Sequence, residues 1–66
     1  MRITLNGSSH ELADGTTLTA LIEAYAGSTR GSAVVVDDEV APRGEWDAYR
    51  LRDGQRVELI TAVQGG

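Results

Sequence analysis

Ile3 and Leu5 alternate with Arg2, Thr4 and Asn6, the period-two mark of a strand with one buried face. Asn6-Gly7 follows, a pair that tolerates positive φ and predicts a tight hairpin turn. Residues 9–12 read as the return strand, with Leu12 facing inward and His10 exposed on it. A second turn stands at Asp14-Gly15, and Thr16 or Thr17 can offer its hydroxyl to a free N–H of a following helix. Leu18, Leu21, Ile22 and Tyr25 then recur at i, i+3, i+4 and i+7, one apolar stripe on a helix over about 17–26. Gly27 fits the left-handed position that ends such a helix.

The second half changes character. Ala33-Val34-Val35-Val36 is a continuous, largely β-branched run and predicts a central strand, apolar on both faces. Asp37-Asp38 turns the chain into a short strand, Glu39-Val40-Ala41, which Pro42 ends. Residues 44–49 hold Trp46 and Tyr49 without alternation, which predicts a single helical or 3₁₀ turn, its aromatics closing one end of the core. After a turn at Asp53-Gly54 comes the last strand, Arg56 to Val63. Val57, Leu59, Thr61 and Val63 share one of its faces; Arg56, Glu58, Ile60 and Ala62 share the other. The order β-β-α-β-β-turn-β predicts an α+β domain over residues 1–63, with the helix packed across one sheet face. In that layout the first and last strands can pair in parallel at the centre. Residues 64–66 are expected to project as a flexible tail.

Composition narrows the function. A chain of 66 residues supports one core, and a domain of this size buries only about 60% of its unfolded surface. There is no cysteine to staple it and no phenylalanine, so Leu, Ile and Val must hold it together. The net charge of −4, with six dispersed arginines as the only basic side chains, argues against nucleic acid as a partner. No run approaches the roughly 20 apolar residues of a membrane span, and no secretory signal precedes the first strand pattern. A cytoplasmic protein, monomeric when free, is expected. One His, no Cys and no Gly-rich phosphate loop leave little for an independent enzyme. His10 lacks an Asp and nucleophile partner, and Asp37-Asp38-Glu39 lacks the spacing of a calcium loop. Pro42-Arg43 reads as a rigid turn carrying a solvated cation.

Three segments together resemble a known family. Val34 to Trp46, with Asp37-Asp38-Glu39 leading to Pro42-Arg43 and then Trp46, is similar to the middle of ThiS proteins. Leu51-Arg52-Asp53-Gly54-Gln55-Arg56-Val57 resembles that family's approach to its last strand, with Gln55 where Asp is common and, earlier, Ala41 where Val is more typical. Gly65-Gly66 completes the likeness. The resemblance implies a ubiquitin-like β-grasp fold with a mixed sheet of about five strands, and a sulfur carrier for the thiazole ring of thiamin.

The residue expected to react is Gly66, through its C-terminal carboxylate, with Gly65 supplying tail flexibility. A free carboxylate is a poor electrophile; as an acyl adenylate it has a good leaving group, and sulfur can replace AMP to leave a thiocarboxylate. Glycine has no side chain to obstruct approach. Three residues beyond Val63 span about 10 Å, at roughly 3.3–3.6 Å each, enough to enter a partner's active site. The resemblance implies a ThiF-like adenylyltransferase that uses ATP and magnesium, a cysteine desulfurase or other sulfur donor, and a ThiG-like thiazole synthase as acceptor. The chain itself binds no cofactor or metal in this reading and acts as a co-substrate. Ile60, Ala62 and Val35, with Gln64 beside the glycines, are expected to face a partner. Alternatives are a MoaD-like or other-pathway sulfur carrier, a non-catalytic β-grasp binding module, and a ubiquitin-like protein modifier.

Overall fold

The computed structural model describes residues 1–61. Its elements are β1 (Arg2–Leu5), β2 (Ser8–Glu11), α1 (Leu18–Ala26), β3 (Ser32–Val36), β4 (Glu39–Ala41), a 3₁₀ turn (Arg43–Glu45) and β5 (Arg56–Thr61). Local chemistry sets each boundary. Asn6 and Gly7 have φ of 49° and 84°, which reverses β1 into β2 with the twist that paired strands prefer. Of the two candidate caps, Thr17 is the one used: its hydroxyl accepts from the Ala20 N–H at 3.1 Å. Gly27 (φ 78°) closes the helix, its N–H donating to Glu23 O at 2.9 Å.

The turn between β3 and β4 is less usual. Asp37 and Asp38 both occupy the left-handed region, with φ of 49° and 69°. Their side chains are engaged elsewhere: Asp37 Oδ1 accepts from the Arg56 N–H at 2.9 Å, and Asp38 pairs with the Arg56 guanidinium. The Asp37 N–H in turn donates to Arg56 O at 2.8 Å. The hairpin is thereby locked to the start of β5.

The sheet order is β2-β1-β5-β3-β4. β1 and β5 pair in parallel at Thr4↔Arg56 and Leu5↔Val57, as expected, and the other pairings are antiparallel. The middle position belongs to β5, not β3, and β3 is buried on one face only. Val34 and Val36 are inward, Val35 is half-buried and Ala33 is exposed. The valine run therefore does not mean a strand covered twice.

α1 crosses one face. Under it lie Ile3, Leu5, Val34, Val36, Val57 and Leu59, against Leu18, Leu21 and Ile22. Trp46 and Leu51 close the core, the indole N–H donating to Ala41 O at 2.8 Å, and Tyr49 packs at its margin. Mixed pairing and a single crossing helix make this the β-grasp arrangement.

Three side chains depart from expectation. Tyr25 is 52% exposed rather than in the core. It stands in the last turn of α1 beside His10 of β2, where Ser8, the other residue on that side of the strand, gives little apolar surface. His10 is half-buried instead of exposed, because it lies opposite Ile3 on the helix side and meets Tyr25 edge-on, ring centroids 6.3 Å apart. Arg43 is not simply solvated: its guanidinium lies 4.7 Å from the Trp46 ring centroid and donates to Ser32 O at 3.3 Å. Among the described residues, no helix is long and apolar enough to cross a membrane.

Candidate functional site

Because side chains alternate along a strand, the residues of β5 that do not meet the helix project onto the opposite face. Those are Arg56, Glu58 and Ile60, all exposed. Strand register then decides their neighbours. Ile60 lies opposite Ala33 and Glu58 opposite Val35, while Val35 lies opposite Val40 across the adjoining hairpin. Val35, Val40, Ile60 and Ala33 thus form one apolar area near the end of β5. Ile60 is 57% and Val40 72% exposed, high values for large aliphatic side chains.

Two of the residues predicted to face a partner, Ile60 and Val35, are brought together here. Ala62 and Gln64 lie outside the described residues, as do Gly65, Gly66 and the boundary between body and tail. Val40 and Ala33 were missed by the sequence reading. A signal for Val40 was present: a two-residue turn at Asp37-Asp38 forces Val36 opposite Glu39 and Val35 opposite Val40. Thr61 shares its face with Val57 and Leu59 by alternation, yet unlike them it is exposed.

The rest of this face is polar, with Thr4 and Ser9 beside charged side chains. Arg2 and Glu11 lie directly opposite one another, with Arg2 Nη2 3.2 Å from Glu11 Oε1. Glu11 also receives the Met1 ammonium at 3.2 Å, while Leu12 O accepts from that ammonium at 2.8 Å. This contact holds the Glu11 carboxyl below its usual range and raises the amine above its own. Arg56, bound to Asp38, and Glu58 border the apolar area. An exposed aliphatic patch beside fixed charges, at the end of the strand that leads to residue 66, is suited to recognising a protein surface.

Relatives place the chain. A family model described as the ThiS family matches residues 3–66. The Sulfur carrier protein ThiS of Escherichia coli (strain K12) is 27% identical over 66 residues, covering 100% of both chains. The crystal structure of a thiamine biosynthesis protein (ThiS) from Geobacter metallireducens superimposes with a TM-score of 0.81 at 29% identity, covering 100% of each chain. An NMR solution structure of a thiamine biosynthesis protein from the same organism gives 0.79 at 30% identity, covering 100% of this chain and 88% of that one. With the family match running from the first strand through the final glycine, on a fold shared along its whole length, the chain belongs to the ThiS family.

Proposed function

We propose that this protein is the sulfur carrier of thiamin thiazole formation and that it cycles through a thiocarboxylate on Gly66. The observation that carries this reading is the family match through residue 66, so that Gly65-Gly66 fall inside the family's pattern and are not an appended tail. The printed name of the Escherichia coli relative supports it. In the first step a carboxylate oxygen of Gly66 attacks the α-phosphate of ATP, held with magnesium by a ThiF-like adenylyltransferase, and pyrophosphate leaves. A sulfur nucleophile then attacks the acyl carbon, and the acyl–oxygen bond to AMP breaks. Sulfide gives the thiocarboxylate directly. A persulfide on a cysteine desulfurase gives an acyl disulfide, whose S–S bond a thiol reductant then cleaves to free the thiocarboxylate and leave the thiol oxidised to a disulfide. The resulting thiocarboxylate delivers its sulfur to a ThiG-like thiazole synthase.

The body of the protein contributes recognition. Val35, Val40 and Ile60 form the docking surface, joined by Ala62 and Gln64 in this proposal. Burying about 100 Å² of such aliphatic surface contributes roughly 2.5 kcal/mol. The chain acts in the cytoplasm as a monomeric co-substrate, and the catalytic groups belong to its partners.

Intact-mass measurement after incubation with a ThiF-like enzyme, ATP and sulfide tests the reading. Exchange of one terminal oxygen for sulfur is expected, and a variant with one residue added after Gly66 should remain folded and unloaded. Sulfur loading of the extended variant, or none on the native chain with an enzyme active on another carrier, would overturn it.

A further inference from the structure

The parallel ladder between β1 and β5 stops early. β1 ends at Leu5, and the chain turns away through Asn6-Gly7 into β2. The Asn6 N–H still donates to Val57 O at 2.9 Å. Beyond that rung β1 offers no backbone to β5, whereas β3 on the other side remains paired as far as Ser32↔Thr61.

The Asn6 side chain fills the gap. Its Oδ1 accepts from the Leu59 N–H at 2.8 Å, and its Nδ2 donates to Leu59 O at 3.3 Å. A carboxamide carries the same donor and acceptor as a peptide group. Here it occupies the place of the next rung and continues the ladder from a residue that has already left the strand.

The position makes two demands at once. With φ of 49°, it favours glycine, asparagine or aspartate. Glycine supplies no rung. Aspartate keeps an acceptor for the Leu59 N–H but has no donor for Leu59 O, and it sets a charged oxygen against that carbonyl. Of the three, only asparagine satisfies both the backbone and the ladder.

We propose that Asn6 is a positioning residue: its amide clamps β5 at Leu59 and so fixes the direction of Ile60 and Thr61. Its functional consequence rests on the carrier reading above. The docking patch stands on the open face beside this clamp, and the reacting group is carried by the chain that follows β5 in sequence. Docking therefore delivers the carboxylate accurately only if the end of β5 is held from both flanks. Misplacing a reacting group by about 1 Å can cost on the order of 100-fold in rate.

The test compares native protein with Asn6→Gly, which accepts the backbone and deletes the clamp. Gly7→Ala is the control for a weakened turn: φ is 84° there, and an added Cβ meets nothing within 4 Å, so it strains the turn without touching Leu59. In Asn6→Gly, hydrogen exchange at the Leu59 amide should quicken by about tenfold or more, and the amide order parameters of Ile60 and Thr61 should fall toward roughly 0.6. With the activating enzyme, kcat for adenylate formation should fall about tenfold or more while KM holds, because Val35, Val40 and Ile60 are untouched. Gly7→Ala should lower thermal stability and leave kcat alone. Unchanged exchange and order in Asn6→Gly would overturn the clamp. Loosened ends with an unchanged kcat, or an equal kcat loss in Gly7→Ala, would overturn the positioning role. Failure of the native chain to be adenylated would instead defeat the carrier reading, and exchange and order would still decide whether the clamp exists.

Discussion

Two faces of one sheet use the same aliphatic residue types for opposite ends. On the covered face Ile3, Leu5, Val34, Val36, Val57 and Leu59 are at most 8% exposed. On the open face Ile60 and Val40 are 57% and 72% exposed, yet they stand on the same strands or on strands paired with them. What separates the faces is α1, a single helix of nine residues that covers one side. Hydrophobicity on the covered face is spent within the chain. On the open face it remains exposed, and ion pairs at Arg2–Glu11 and Arg56–Asp38 keep its borders polar.

That contrast can be broken most forcefully from the covered side. Leu18 is fully buried, and Ala is a better helix former, so Leu18→Ala isolates the loss of packing. We expect it to lower the free energy of unfolding by about 2–5 kcal/mol in urea titration, a large share of the total for a domain of this size. On the open side the double variant Val40→Thr with Ile60→Thr keeps β-branched shape and removes apolar surface. It should cost less than about 1 kcal/mol of stability in the same titration. It should also raise KM for the activating enzyme by about tenfold, equivalent to about 1.4 kcal/mol of docking energy. Equal stability losses on the two sides would erase the distinction.

The smallest effect concerns the charged end of the open face. The Met1 amine is raised by its hydrogen bond to Glu11, so its contribution is complete below the ordinary amine value of 8.0 and fades as pH climbs past it. Glu11 is lowered by the same contact, so its contribution is complete above 4.5 and fades as pH falls below that. Thermal melts should therefore show a shallow plateau between those limits. Glu11→Gln should flatten both edges and leave the KM of the open-face patch unchanged.

Much of the fold was legible because its signals are local. Asn6-Gly7, the Leu18-Leu21-Ile22 stripe, Gly27 and Pro42 each act within a few residues, and each marks the boundary it predicts. Errors arose where a residue's surroundings come from distant chain. Tyr25 has helical spacing, but the element beneath the end of α1 is the serine-rich β2. Val34, Val35 and Val36 look alike in sequence, and only the single-sided cover of α1 separates Val35 from its neighbours. Arg43 finds Trp46 and Ser32 only after the 3₁₀ turn has formed. At the site, Ile60 and Val35 are legible from alternation, whereas Val40 becomes so only through the register set by the Asp37-Asp38 turn. The Asn6–Leu59 contact is invisible to any local pattern, because it joins residues 53 positions apart.

The middle strand of the sheet is the last strand in chain order, and it pairs with the first. A nascent chain still lacking β5 therefore has two separate hairpins and no shared centre to join them. During synthesis the domain can close only once that strand is free of the ribosome, which makes folding a late, long-range event. A polypeptide truncated before β5 would be left open and vulnerable to proteolysis. The availability of β5 thus sets when the core can close.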